Sequence, residues 1–383
     1  MKIWIIFCGL LLLVTASHSS IASSEALIDD EISRGLYRAG KIEEAIAKNE
    51  QIYLDDQLTQ YLKGIMDKLY PDYKNISRMH ILISTESNAF VLANGSVYVN
   101  LGLLAIAENE AQVASVLAHE GAHYTLSHQL LSQQHLKDVA SSVDFYGMDR
   151  SLADLSDYSV DLETEADNVG FRRLLNAGYD PKEAVNMYKS IEAELRRQNL
   201  KEQRMYPTHP KIRDRVAHFK QLSEGHSGFV GRESYLREMS ALRIKYYQLN
   251  LSKYLYKNVL ASLVHKNRIA DAPPEAWLYL GEAYRQRSEK DDEAKAENAY
   301  LHAIEAVPEF APPYAALGIL YMKHNDTQKA LKQFDNYFAL SPDTQNTAYI
   351  RQYYSEIKDN EMKDSEISTN EIKKSENKNK VVP

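Results

Sequence analysis

His119, Glu120 and His123 are the residues of this chain whose types and spacing imply chemistry. They lie in Val113–His128, which reads V-A-S-V-L-A-H-E-G-A-H-Y-T-L-S-H. On a helix, residues four apart share a face, one turn from each other, so His119 and His123 can offer two imidazoles to one divalent cation. Glu120 follows directly and points about 100° round the helix axis. It cannot join the same pair, but it can reach a water beside the cation and take its proton.

With 12 histidines in 383 residues, the spacing alone also fits two core histidines satisfied by hydrogen bonds. Context favours the metal. Val113, Val116, Leu117 and Leu126 fall on the same side of the helical wheel as both histidines, which turns the pair inward. Two inward imidazoles beside a carboxylate are costly to bury unless something binds them. His-Glu-x-x-His on a helix is also the pattern of zinc peptidases.

Such a site keeps three protein ligands and leaves a fourth position open. Asp161–Leu175 reads as a second helix and carries Glu163-Thr164-Glu165-Ala166-Asp167. Glu163 and Asp167 share a face with Gly170 and Phe171, whereas Glu165 points elsewhere. The spacing makes Glu163 the candidate third ligand and Asp167 the acceptor that orients a ligand imidazole. The alternative is an acidic, solvated helix face.

Other elements must position these groups. From Met79 to Asn100 the period changes to two: His80–Ile83 reads as a strand, and Ala89–Leu92 with Ser96–Val99 as a hairpin closed by Asn94-Gly95. Strands just before the metal helix either offer an edge to an extended peptide or only roof the helix. Leu101–Ala107 reads as a short helix, and Asn109 as the N-cap of the metal helix with Glu110 at its positive end. The pattern carries that helix past His128 toward Leu131. His128 and His135 are read as surface or supporting groups, since His119 and His123 already occupy the inward face. Gln133–Tyr158 is mixed and polar, a lid or a connector. Upstream, Ser24–Leu69 is helical in pattern. Its candidate buried positions are Leu36, Ile42, Ala45 and Ile46, then Leu58, Leu62, Ile65, Met66 and Leu69.

Beyond Gly231 a helical repeat emerges. Trp277, Leu280, Gly281, Tyr284, Ala296, Tyr300, Ala303 and Pro308 recur as Tyr314, Leu317, Gly318, Tyr321, Ala330, Phe334, Tyr337 and Pro342, with three extra residues near Glu289–Glu293 in the first copy. This is the tetratricopeptide pattern. Two copies are too few to stand alone, so Tyr235–Leu263 is expected to supply docking helices. The repeat surface is read as a site for a protein partner or client, against the plainer reading of a stabilising cap. From Tyr354 onward the tail is Lys, Glu, Asn and Ser and reads as disordered.

The net charge of −8 implies no basic surface, and no nucleic-acid partner is expected. Lys2, the apolar run Ile3–Val14 and the small residues before Ala22 form a secretory signal peptide, expected to be cleaved near Ala22. The only cysteine, Cys8, follows the bulky Phe7 inside that run, so no lipid anchor is expected, and the mature chain has neither disulfides nor thiolate ligands. These features point to a bacterial periplasm.

With His119-Glu120-Gly121-Ala122-His123, Glu163-x-Glu-Ala-Asp167, Asn88-Ala89-Phe90 and Tyr98-Val99-Asn100-x-Gly102-Leu103-Leu104 together, the chain resembles the zinc peptidases related to HtpX and the CAAX prenyl protease over roughly Asp55–Phe219. The resemblance implies one Zn2+ on His119, His123 and Glu163, with Glu120 as general base. Thr208-His209-Pro210 and Arg215 also match that family and imply that His209 can approach the metal or substrate and that Arg215 can stabilise an oxyanion. Two features depart from the family: Asn94-Gly95 replaces its Pro-Gly hairpin, and the segment between His123 and Glu163 is short and polar. The fold implied is mainly α: signal peptide 1–22, an α+β gluzincin-type peptidase domain with a small sheet over 24–225, an all-α tetratricopeptide-repeat domain over 231–354, and a disordered tail over 355–383. The joined architecture is similar to that of periplasmic, repeat-bearing members of the family. It implies an endopeptidase acting on misfolded or stalled outer-membrane proteins, its repeats meeting clients or the outer-membrane assembly machinery. The alternative class is a chaperone or scaffold whose zinc site is latent.

Overall fold

In this computed structural model, residues 30–73, 76, 78–132, 148–197, 212–264, 268–270, 272–341, 347–360 and 362 are described, the side chains of 148–159 excepted. The expected signal peptide, His135, His209 and most of the expected tail lie outside the described residues.

The N-terminal helical pattern divides into α1 (residues 30–48) and α2 (Asp56–Leu69). Asp55 caps α2 by accepting from the Leu58 amide at 2.9 Å. Leu58, Leu62, Ile65, Met66 and Leu69 are all buried as expected. On α1 the expectation fails for Leu36, Ile42 and Ala45, which are exposed. The face that packs is Gly35, Ala39 and Ile46, because small residues let the helix lie close over Leu82, Leu92 and Tyr98. Between the two helices the chain is extended rather than helical. It runs beside the first strand, with Tyr53 donating to Ile81 at 2.8 Å and Ile83 to Gln51 at 2.7 Å.

The period-two stretch forms β1 (Arg78–Leu82), β2 (Ala89–Val91) and β3 (Ser96–Asn100), in the order β1-β3-β2. β1 runs parallel to β3 and β2 antiparallel. The hairpin is not the two-residue turn that Asn94-Gly95 suggests. Within it only Gly95 has a positive φ, 80°, and the Gly95 amide donates to Leu92 at 2.9 Å. The loop therefore has three residues with glycine in the left-handed position, while Asn94 accepts from the Ser96 amide at 3.1 Å.

Two helices follow β3. α3 (Leu101–Ile106) is short, and α4 (Glu110–Thr125) is capped by Asn109, whose side chain accepts from Gln112. Every residue from Ala111 to Ala122 is buried, and α4 packs against α2, β2 and the later helices Met148–Asn176 and Lys182–Arg197. It ends at Thr125, short of the expected Leu131, because Ser127 turns left-handed at φ 57°. A short α5 (residues 128–132) restarts the chain in a new direction.

α6 (Met148–Asn176) begins well before the expected Asp161. α7 (Lys182–Arg197) and α8 (Ile212–Leu222) pack on each other, and α9 (Arg232–Glu238) anchors Tyr235, whose hydroxyl donates to Leu104 at 2.6 Å. The chain divides into two compact units, Met1–Leu242 and Arg243–Pro383, within α10 (Ser240–Ser252).

The second unit is helical throughout its described residues: α11 (Tyr256–Val264), α12 (Ala276–Arg287), α13 (Asp292–Ala306), α14 (Pro312–Lys323), α15 (Thr327–Leu340) and α16 (residues 347–360). From α11 to α15, each helix packs on the next. In α12/α13, Gly281 lies against the Tyr300 ring, and in α14/α15, Gly318 lies against Phe334, with no room for a Cβ at either glycine. The extra residues of the first pair are held by Arg287, which grips Asp292 through Nη2 at 2.5 Å and Nε at 2.7 Å. α16 extends past Tyr354, where the composition suggests disorder, because Ile350 and Ile357 bury themselves with Phe334 and Tyr337.

Gly170 of α6 sits so close to α4 that a Cβ there would lie 2.9 Å from the backbone of Ala118 and His119. Gly170→Ala is expected to push the helices apart and cost about 1–3 kcal/mol in denaturant unfolding. Gly40→Ala, on α1 with open space around it, is expected to gain about 0.5–1 kcal/mol in the same assay.

Candidate metal centre

Because α4 is buried all round, its polar residues must be answered by neighbours. His119 and His123 point their Nε2 atoms at each other across 3.0 Å. Glu163, projecting from α6, completes a triangle: one carboxylate oxygen is 3.3 Å from His119 Nε2 and the other 3.3 Å from His123 Nε2. Among the described residues these three are the group of His, Cys, Asp and Glu side chains placed to hold a metal ion.

The donor set fits zinc. Bonds of about 2.0–2.1 Å directed to the corners of a tetrahedron place neighbouring donors roughly 3.3 Å apart. The 3.0 Å between the two Nε2 atoms lies near that spacing, and each Nε2 has a Glu163 oxygen at 3.3 Å, a different oxygen for each histidine. The lone pairs are also aimed correctly. His119 donates from Nδ1 to Asp167 Oδ1 at 2.9 Å, so a neutral His119 presents a bare Nε2 to the triangle. Asp167 is held in turn by Arg215 of α8, whose Nε and Nη2 reach it at 2.9 and 2.5 Å.

The sequence-derived positions Glu163 and Asp167 thus meet the α4 histidines. Glu120 is buried beside β2, hydrogen-bonded to the Val91 backbone. His209 lies outside the described residues. Arg215, expected at an oxyanion, spends its planar edge on Asp167, and it also donates to the Tyr188 hydroxyl at 2.5 Å while its guanidinium stacks 4.2 Å from that ring's centroid. It still lines a pocket with His119, Glu120, Leu103, Val116, Tyr188 and Ile212.

A sequence profile of peptidase family M48 matches residues 55–223, the stretch that contains all of these groups. The chain carries a peptidase family M48 domain. Over 149 residues, 36% of this chain and 44% of the relative, it is 31% identical to the mitochondrial metalloendopeptidase OMA1 of Schizosaccharomyces pombe. It is 26% identical over 213 residues to the beta-barrel assembly-enhancing protease of Yersinia pestis, covering 49% of this chain and 43% of that one. To the putative beta-barrel assembly-enhancing protease of Vibrio cholerae it is 25% identical over 221 residues, 51% of this chain and 45% of that one. In each case the match spans less than half of the relative's length. M48 metallopeptidases use zinc, in keeping with the His-His-Glu group.

The charges of the M48 site answer one another. Burial pushes the Glu120 carboxyl up to about 7, with Glu163 adding to the rise and the positive His119 and Arg215 opposing it. Burial would also raise Asp167, but the Arg215 charge and the His119 hydrogen bond bring it down to about 2. Burial and Arg215 depress His119, yet its bonds to Asp167 and Glu163 win and carry it up to about 9. Burial alone dominates at His123 and lowers it to about 4. At neutral pH the metal-free imidazole pair therefore keeps one proton more than two neutral rings carry, and metal binding must displace it.

One residue of this neighbourhood escapes the sequence reading, and of the two readings of His128, surface or supporting, the buried position favours the second. Tyr188 sits on α7 without any motif. Glu165, which spacing turns away from the ligand face, approaches His128 instead, and His128 is buried against His123. Spacing along one helix reports that helix's faces and not what another helix brings to them.

Removing Arg215 strands the buried Asp167 carboxylate. Arg215→Met is expected to destabilise the metal-free protein by about 3–5 kcal/mol in chemical denaturation. The pH sign follows from Asp167: its contribution to stability is complete above its unfolded value of 3.8 and is lost as pH falls through about 2. Asp167→Asn is expected to flatten acid unfolding across that interval.

Proposed function

We propose that this protein is a periplasmic zinc endopeptidase that degrades misfolded or stalled outer-membrane proteins. The observation that carries the reading is the buried triangle of His119, His123 and Glu163 with Glu120 beside it, inside an M48 domain. Zinc held by those three residues would supply Lewis-acid polarisation of a scissile carbonyl.

The chain's own groups supply the rest. Glu120 takes the proton of the attacking water and delivers it to the leaving amine, and a carboxyl that burial holds near 7 is poised for both transfers. Asp167 keeps His119 in the tautomer that leaves Nε2 free, and Arg215 keeps Asp167 ionised. Arg215 thus acts on the ligands through Asp167, with its place at the pocket wall as the support for a role near the oxyanion. His209 is assigned an auxiliary or switching role on family resemblance alone.

The pocket supports a peptide substrate. Its apolar wall of Leu103, Val116, Ile191 and Ile212 suits an apolar side chain next to the scissile bond. β2 is one of the two outer strands of the sheet and lies against α4. The backbone groups of Ala89 face away from β3 in the antiparallel alternation; its amide donates to Asn88 Oδ1 at 3.0 Å, and its carbonyl, at a residue that lines the pocket, is the edge group an extended substrate would meet.

The helix pairs α12/α13 and α14/α15, keyed by glycine against an aromatic ring, support the tetratricopeptide reading of the second unit. Its proposed role is to hold clients or to meet the assembly machinery at the outer membrane. Sequence similarity to proteins named for β-barrel assembly, together with the N-terminal apolar run, supports placing that work in the periplasm.

The test compares wild type with Glu120→Gln for zinc content and for cleavage of casein or an unfolded outer-membrane protein. One zinc per chain in both, with cleavage lowered at least 100-fold in the variant, is the expected result. Equal cleavage by both proteins, or zinc without cleavage in the wild type, would overturn the protease assignment.

A further inference from the structure

His128 is 2% exposed, an unusual degree of burial for a histidine that follows a helix end. It is brought there by the left-handed Ser127, which ends α4 and folds α5 back toward the metal helix. Its Nδ1 lies 3.0 Å from Nδ1 of His123, with the two rings nearly perpendicular at 76°. On its other side, His128 Nε2 faces a Glu165 carboxylate oxygen at 3.5 Å, a charge contact from a half-exposed side chain.

A two-nitrogen contact needs one donor and one acceptor. His123 presents Nε2 to the triangle, so as a neutral ligand it carries its proton on Nδ1. That proton can be received only by a bare Nδ1 on His128. His128 must then hold its own proton on Nε2, the atom turned toward Glu165. Each tautomer dictates the next. We propose that His128 is a positioning residue for zinc: it accepts the Nδ1 proton of His123, fixing that ligand's tautomer and ring orientation, and Glu165 favours the His128 tautomer that can do so. His119 is oriented by a carboxylate, Asp167, and His123 by a neutral imidazole. One ligand is thereby made more basic than the other without burying a second carboxylate against Glu163. The inference rests on the zinc site proposed above.

The test uses metal-free full-length chain titrated with Zn2+ against a chromophoric chelator, for wild type, His128→Leu and His128→Gln. Leucine fills the space but accepts nothing, while the glutamine carbonyl can accept from His123. The expected result is zinc affinity about 10- to 100-fold weaker in His128→Leu and restored to within a few-fold of wild type in His128→Gln. Unchanged affinity in His128→Leu, or equal losses in both variants, would overturn the proposal, since a space-filling role predicts no rescue by an acceptor. A second measurement needs no variant: long-range proton–nitrogen correlations of the zinc-loaded wild type should show His128 protonated on Nε2. Protonation on Nδ1 would overturn it. Wild type that binds no zinc would overturn the underlying site as well, which separates that failure from this one.

Discussion

Everything in the site depends on how closely two helices approach. α4 and α6 touch backbone to backbone where Gly170 meets Ala118 and His119. Glu163 and Asp167 lie on the same face of α6, about two turns and one turn before that contact. A side chain at position 170 would meet the Ala118 and His119 backbone and push the carboxylates away from the histidines. The glycine is thus a spacing element: it sets the distance at which two acids and two imidazoles become one group.

That group is expensive to assemble, and its members offset one another's cost. Glu120, Glu163 and Asp167 are all buried within one neighbourhood, where an uncompensated carboxylate would neutralise itself. Arg215 answers Asp167 directly, and Asp167 in turn draws a proton onto His119. Glu163 interacts with the imidazole pair and is left for whatever cation sits there. Glu120 has a backbone hydrogen bond and more distant charges to set against its burial, and its carboxyl is driven up to about 7. The protonation pattern is a consequence of which acid the arginine touches.

The sequence is most informative where one helix face carries the whole signal. His119, Glu120 and His123 on α4, and Glu163 with Asp167 on α6, are legible because period and residue type suffice to place them. The strands and the Asn109 cap are legible for the same reason. What escaped depends on contacts between segments. Leu36 and Ile42 look like a buried stripe, but α1 docks by its small residues instead. Residues 51–53 run beside β1 without any period of their own. The end of α4 at Ser127 is a backbone event that no apolar pattern reports, and it is what carries His128 back to His123. Tyr188 lies on a helix whose pattern shows only that it is amphipathic. Ile350 and Ile357 are too sparse in a polar tail to announce α16.

The candidate metal ligands come from two helices, His119 and His123 on one and Glu163 forty residues later on the other. In the unfolded chain they are strangers, so a coordination sphere exists only after α6 has docked on α4. A cation that binds the folded form alone then stabilises it by an amount that grows with the logarithm of free metal over its dissociation constant. The last step in making such a site is also a latch on the fold. A chain of this kind reaches its full resistance to unfolding only in a compartment that supplies the ion, and one that emerges where the ion is scarce stays easier to open, and so easier to remove.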